Sequence, residues 1–98
     1  MNQKQFPVTI EEAVGVVVAT LADEDQAKIA AMAESALIGL HFGLGLWIRN
    51  NFGLWQEPSA LLDDARRLDP SIGHPDDASM LIIAGVWKRL QEMAPKVH

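Results

Sequence analysis

The sequence predicts an all-α fold, a compact single-domain bundle of four to five helices with a central, glycine-containing buried helix. Three observations lead to this prediction. Apolar residues recur at helical spacing, helix-start and helix-stop residues fall between the patterned stretches, and 98 residues match one compact domain with a single core. We place the helical domain at residues 9–93, after a flexible segment at 1–8 and before a C-terminal tail at 94–98.

The first helix is predicted to begin after Thr9. Thr9 and Glu12 have the spacing of a capping box, and Pro7 stops any helix upstream. Apolar residues then recur at i, i+4, i+7, i+8 and i+11, which forms one stripe along a helix. The stripe consists of Ile10, Val14, Val17, Val18 and Leu21.

No proline or glycine separates the second and third helices, which leaves one continuous helix as an alternative, and we favour a break near residues 34–35 because serine is a good cap. Asp23 is the expected cap of an alanine-rich second helix that ends near Ala33. The third helix, residues 35–51, carries apolar side chains in nearly all directions, which is typical of a helix surrounded by others. Gly39 and Gly43 lie on one side of it, where a close helix approach would offset their helix-weakening effect. Gly45 is expected to leave space beside His41.

Two further helices complete the predicted bundle, with the first and the fifth packed against the third. Gly53 is the expected C-terminal cap of the third helix. Pro58 and Ser59 open a fourth helix over residues 60–68, and a loop at 69–75 precedes a fifth helix from about residue 76 to 93. The inward side chains are expected to be Leu61, Leu62, Ala65, Leu68, Ile82, Ile83, Val86, Trp87 and Leu90.

Composition excludes several classes of function. The net charge of −5 argues against nonspecific binding to nucleic acid or anionic membranes, which depends on Lys and Arg. The absence of cysteine excludes disulfides and thiolate metal sites and fits a cytoplasmic protein. The N-terminus lacks the pattern of a signal peptide. The uncharged run at residues 35–48 is shorter than the roughly 20 apolar residues of a membrane span, so we expect no membrane insertion.

Two longer motifs are specific enough to indicate a family. The segment HFGLGLWIRNNFGLW (His41–Trp55) is followed by HPDDAS (His74–Ser79) and by a Leu/Ile-rich helix that carries Trp87. This arrangement resembles a family of small bacterial proteins of unknown function. The resemblance extends from about Thr9 to Leu90 and implies a bacterial, largely helical, intracellular protein. It implies no activity, but the matching positions form a list of candidates: His41, Arg49, Asn50, Asn51, Trp55, His74, Asp76, Asp77 and Ser79.

Arg49 is the candidate with the clearest physical requirement. A guanidinium group near a core usually pairs with a carboxylate, because an unpaired buried charge is costly. Asp76 or Asp77 is the expected partner, and Asn50 and Asn51 are expected to bind carbonyl groups at the end of the third helix. The alternative is a pocket in which Arg49 makes bidentate contacts to an anion or a peptide.

His41 and the HPDDAS motif also admit two interpretations each. His41 is either a hydrogen-bonded core residue or a general base or ligand, and no His/Asp/Glu spacing predicts a metal site. The motif starts a helix well, with a proline and acids in the first turn, although aspartates also serve acid–base or Mg²⁺ chemistry. Ser79 lacks the setting of a nucleophile.

The tryptophans divide into two groups by their position. Trp47 and Trp87 are expected in the core because they fall inside helices. Trp55 follows a helix end, where it either covers the edge of the core or presents a surface to a partner.

These observations favour a non-enzymatic protein-interaction or regulatory module, of an accessory, antitoxin-like or immunity-like kind. The expected partner is another protein, a homo-oligomer is a further option, and no cofactor, metal or catalytic residue is predicted. The alternative is an enzyme or a ligand- or anion-binding protein. Its pocket would consist of His41, Arg49, Asn50, His74 and Asp76.

Overall fold

The computed structural model describes residues 6–93, and the regular elements in this range are all helical. The all-α prediction is therefore confirmed. The elements are α1 (Ile10–Thr20), α2 (Asp23–Ala30), a 3-10 helix (Glu34–Leu40), a π-helix (His41–Gly45), α3 (Leu46–Asn51), α4 (Ala60–Leu68) and α5 (Pro75–Met93). The 3-10 helix, the π-helix and α3 follow one another without an intervening loop.

Helix α5 is the central element of the bundle. It contacts α1, α2, α4 and the whole segment formed by the 3-10 helix, the π-helix and α3. The prediction that the third helix is central was wrong. With 19 residues, α5 spans about 28 Å and is long enough to contact every other element. Its buried side chains are Ala78, Ser79, Ile82, Ile83, Val86 and Leu90.

Side-chain caps start α1 and α4 where the sequence predicts them. The Thr9 hydroxyl accepts a hydrogen bond from the Glu12 amide at 3.1 Å, and the Ser59 hydroxyl accepts one from the Leu62 amide at 3.1 Å. Glu12 completes the first cap by accepting from the amide of Val8 at 3.0 Å, one residue before the expected position. These caps satisfy amides that have no partner within a helix.

The helix ends show one confirmed cap and one small shift. Gly53 follows the last turn of α3 with a φ of 70°, a left-handed conformation that favours glycine, as predicted. Asp23 is the first residue of α2 rather than its cap, because Ala22 holds the extended conformation of the N-cap position. Leu68, expected to point inward at the end of α4, is exposed.

The segment of residues 34–51 differs most from the prediction. It begins at Glu34, so the predicted break after α2 is confirmed, but it changes from 3-10 to π to α geometry along its length. Only one side of it is buried: Leu37, Ile48 and Arg49 face the core, whereas Phe42 is 83% exposed. The expected helix surrounded on every side is therefore a surface element with one inner face.

The glycines of this segment separate into two kinds. A Cβ atom added at Gly39 or Gly43 would meet no atom within 4 Å, so no neighbouring helix approaches there and the predicted close contact is absent. The close approach occurs at Gly45, where an added Cβ would lie 3.0 Å from Nη1 of Arg49 and 3.6 Å from Cδ1 of Ile83. A second close approach joins α1 to α5, because a Cβ at Gly85 would lie 2.7 Å from Cγ2 of Val14.

The predicted terminal segments fall largely outside the described residues. Residues 1–5 and the tail at 94–98 are not among them, so the expected flexible segment at 1–8 is described only from Phe6 onward. The Phe6 ring lies against Gly53, where an added Cβ would be 2.8 Å from Cδ2 of the ring. Phe6 thus packs against the end of α3.

Asp64 joins α4 to the start of α1. Its Oδ2 accepts a hydrogen bond from the amide of Ile10 at 2.8 Å, and its Oδ1 accepts from Nε of Arg67 at 3.0 Å. The Ile10 hydrogen bond lowers the pKa of the Asp64 carboxyl below its ordinary value, and Arg67 adds to the effect. No local sequence pattern predicts this contact, because its two residues are 54 positions apart in the chain.

The Asp64→Asn substitution is expected to lower the free energy of unfolding by about 1 kcal/mol at neutral pH, because the amide oxygen can still accept from Ile10 but without the charge that strengthens this hydrogen bond. Because the folded-state pKa is depressed, this stability is present above the ordinary pKa and is lost as pH falls through the lower, folded-state value. Urea unfolding at a series of pH values should show that wild type and variant converge in acid. An equal difference at all pH values would contradict the assignment.

Candidate functional site

The predicted polar residues meet where the 34–51 segment packs on the first turn of α5. Arg49 lies at the centre of this polar cluster and is only 5% exposed. Its Nη1 donates a hydrogen bond to the Ser79 hydroxyl at 2.9 Å, and its Nη2 donates to the backbone oxygen of His41 at 3.3 Å. Its Nε lies 3.3 Å from Oδ1 of Asp76, which is an ion-pair distance without hydrogen-bond alignment. The predicted pairing of Arg49 with an aspartate is confirmed for Asp76.

Ser79 is the only other buried polar residue of the described core. Its hydroxyl donates to the backbone oxygen of Asp76 at 2.9 Å and accepts from Arg49, so both functions of the oxygen are used. A polar group buried in this way needs such partners.

Asp76 lies beside three nitrogen-containing side chains. In addition to Arg49, Nε2 of His41 lies 3.8 Å from its Oδ2. Nδ1 of His74 lies 3.6 Å from its Oδ1, but this nitrogen accepts a hydrogen bond from the Asp76 amide and therefore carries no proton toward the carboxylate. The Asp76 side chain is 43% exposed, so one side of the carboxylate faces solvent. The carboxylate also lies in the first turn of α5, where the helix dipole favours a negative charge.

His74 acts as the cap of α5. Its Nδ1 accepts a hydrogen bond from the Asp76 amide at 3.0 Å, and its backbone oxygen accepts from the amides of Asp77 and Ala78. The ring of Trp55 meets the His74 ring edge to face, with 5.6 Å between centroids. The HPDDAS motif thus starts a helix as predicted, with the histidine as its capping residue.

His41 remains partly unsatisfied within the described residues. Its Nδ1 is buried without a hydrogen-bond partner there, and its ring packs edge to face on Phe42 at 5.0 Å. The hydrogen bond expected of a core histidine is therefore not made by Nδ1, while Nε2 faces the side chain of Asp76. The backbone oxygen of His41, rather than its side chain, makes the contact to Arg49.

Three of the predicted residues lie outside the cluster. In the described part of the chain, the ion pairs and side-chain hydrogen bonds of the cluster do not include Asn50 or Asp77, and both residues are exposed. Asn51 binds the backbone oxygen of Trp47 at 2.8 Å, so the predicted contact to a carbonyl at the helix end is confirmed for this residue. Of the five residues predicted to form a pocket, Asn50 is therefore not part of the cluster.

The tryptophans show one partial confirmation and one correction. Trp87 is partly buried, and its indole N–H donates to the backbone oxygen of Met32 at 2.9 Å, which fixes the chain after α2 against α5. Trp47 is exposed rather than part of the core, with its ring edge to face on Phe52. Trp55 is exposed as well and does not seal the polar cluster.

An exposed apolar surface lies on the opposite side of the 34–51 segment. Ile38, Phe42 and Leu46 lie on the 3-10 helix, the π-helix and the start of α3, and all three side chains are exposed. They are 64, 83 and 46% exposed, and we call them the Phe42 face. Large exposed apolar groups in a cluster mark interaction sites more often than single ones do. The sequence interpretation missed this face because it assigned these side chains to the core.

The comparison with known proteins decides the family. A model for a domain of unknown function, DUF6794, matches residues 6–90, which is most of the chain. The chain belongs to this family. Searches of curated proteins and of solved structures give no match.

The match includes both parts of this DUF6794 domain that are described above, the polar cluster and the Phe42 face. Within residues 6–93, no group of three or more His, Asp or Glu side chains is arranged to hold a metal ion. In the same range, no helix is long and apolar enough to cross a membrane.

Proposed function

We propose that the protein is a non-enzymatic interaction module that binds protein through the Phe42 face. The observation that carries this proposal is the exposure of Phe42, which at 83% leaves nearly a whole aromatic ring in solvent. An aromatic side chain of this kind supplies much of the binding energy when it enters a protein interface. The π-helix that holds Phe42 is an element found often at functional sites.

The polar cluster supports this face from behind. Arg49 binds the backbone of His41, the residue next to Phe42, and the same guanidinium group is held by Ser79 of α5. The backbone next to Phe42 is therefore connected to the central helix α5 through the hydrogen bonds of Arg49. A surface ordered before binding loses less entropy when a partner arrives.

The cluster itself favours a structural role over an anion-binding or catalytic one. Two of the guanidinium nitrogens of Arg49 already donate to protein oxygens, and the charge is paired with Asp76. An incoming anion would have to displace that carboxylate. For this reason we do not assign a ligand to His41, Arg49 and Asp76.

We further propose that the module is bacterial and cytoplasmic and has an accessory, antitoxin-like or immunity-like role. Its 98 residues and its net charge of −5 support this class, since an acidic module of this size is suited to a protein partner. The charge also supports the view that nucleic acid is not the partner. Trp55, half exposed beside His74, is a second candidate contact for a partner.

Site-specific photo-crosslinking in the native cell tests the proposal. Benzoylphenylalanine replaces Phe42 in one variant and Leu68 in a matched control, because Leu68 is also an exposed large apolar residue but lies on α4. We expect protein adducts from position 42 and few from position 68. Equal and low yields from the two positions would contradict an interface at the Phe42 face.

A further inference from the structure

We infer that the occupant of the Phe42 face is a second copy of this chain, so that the module is a symmetric dimer. The inference rests on the proposed function, since it names the partner of the same face. In such a dimer the face of one copy packs against the same face of the other, as in an interface with two-fold symmetry.

The first support comes from two glycines that have no role inside the monomer. Gly39 and Gly43 lie on the exposed surface, and a Cβ at either position would meet no atom within 4 Å. Both have negative φ, so their backbone conformation does not require glycine. Glycine weakens a helix relative to alanine. A partner backbone or ring that packs directly on these positions gives a reason for the missing side chains.

The second support is that open glycine positions alternate along the chain with the large exposed side chains. These side chains are Ile38, Phe42 and Leu46, and each of the two glycines directly follows one of the first two. Both sets repeat every four residues. When two copies cross with two-fold symmetry, the Phe42 ring of each can lie over the open glycine positions of the other. A single surface of this kind is complementary to itself.

The third support is the charge of the surface. Residues 35–48 contain no Asp, Glu, Lys or Arg, although the chain carries a net charge of −5. A partner of opposite charge would therefore find no ion-pair partner on this face. Two copies repel each other at long range but meet through a stretch without charged side chains. Because salt screens the long-range repulsion, dimer formation should strengthen as ionic strength rises.

The fourth support is the area available. Side chains of this size have roughly 200 Å² each, so the exposed parts of the Phe42 face and of neighbouring Trp47 amount to roughly 450 Å² per copy. Two copies would bury about 900 Å² from these four side chains alone, and the glycine backbone adds to it. Complete burial of these side chains brings the total close to the lower limit of specific interfaces, about 1,000 Å², without exceeding it. The area fits a weak, reversible dimer.

Sedimentation equilibrium of the purified full chain tests the inference. We expect a concentration-dependent monomer–dimer equilibrium whose dissociation constant falls as salt is added. Phe42→Asp should weaken the dimer by about tenfold or more, because it places two like charges in an apolar contact. Gly43→Leu should have a similar effect by filling the open glycine position, while circular dichroism shows that each variant keeps its helices. Leu68→Asp is the control and should leave the equilibrium unchanged.

Two results would overturn the inference. One is a chain that stays monomeric up to millimolar concentration in high salt. The other is a dimer that persists unchanged in both Phe42→Asp and Gly43→Leu, since it would use a different surface. A further result would distinguish the inference from the proposed function. If the chain is monomeric but position 42 crosslinks to a different protein, the proposed interaction module is supported and only the dimer is excluded.

Discussion

The Asp76→Asn substitution is expected to destabilise the protein by about 2–3 kcal/mol, the largest effect of any conservative change in the polar cluster. Arg49 is 5% exposed and its charge has Asp76 as its ion-pair partner. Removing the carboxylate leaves a guanidinium charge in a buried position. The value lies at or below the lower end of the range for buried pairs, because Asp76 is partly exposed and water can reach its side of the pair.

Asp77→Asn is the matched control for this prediction. Asp77 is the next residue of the same helix turn and is exposed. Its substitution by asparagine removes the same charge as Asp76→Asn. Its substitution is expected to change the free energy of unfolding by no more than about 0.5 kcal/mol. Urea unfolding of both variants gives the comparison. If the two variants lose equal stability, the effect comes from the helix dipole and not from Arg49.

A double-mutant cycle with Arg49→Met isolates the pair itself. Methionine keeps much of the length of the arginine side chain without its charge. Once the guanidinium is gone, Asp76→Asn leaves no buried charge, so the double variant should be clearly more stable than the sum of the two single losses predicts. Additive losses would mean that Asp76 and Arg49 are not coupled.

The Gly85→Ala substitution is expected to lower the free energy of unfolding by about 1–3 kcal/mol. An added Cβ at this position would lie 2.7 Å from Cγ2 of Val14, which is closer than carbon atoms approach. Val14 is 4% exposed, and its branched side chain has few rotamers to which it can move. The helices α1 and α5 must therefore separate, and the clash exceeds the gain in helix propensity.

Gly43→Ala makes the same chemical change where space is open. No atom lies within 4 Å of an added Cβ there, so alanine should raise the free energy of unfolding of the monomer by about 0.5–1 kcal/mol. Thermal or urea unfolding should be measured at protein concentrations where the monomer predominates. A loss of stability at Gly43 comparable to that at Gly85 would contradict the packing described here.

The local elements of this fold could be predicted because their signals lie within a few residues of one another. Thr9 and Ser59 cap the helices that follow them, and Gly53 ends α3, since each acts through its own backbone or side chain. The pairing of Arg49 with the HPDD turn was also predictable. A charge beside a core needs a counter-charge, and the HPDD turn supplies two adjacent carboxylates at the start of a helix that packs on the same core.

The burial of residues 34–51 could not be predicted from their pattern. A helix with apolar side chains on every side is either enclosed by its own fold or exposed for an interface, and the sequence is the same in both cases. The central role of α5 and the contact of Asp64 with Ile10 depend on tertiary packing over long distances in the chain. Such contacts leave no periodic signal.

The central position of α5 has a consequence for synthesis of the chain. Every other helix packs its apolar side against α5, yet residues 75–93 are translated after all of them. A nascent chain on the ribosome therefore exposes the valines of α1 and the leucines of α4 until this last partner emerges. During that interval it offers an apolar surface to chaperones, and folding can be completed only after α5 has left the exit tunnel.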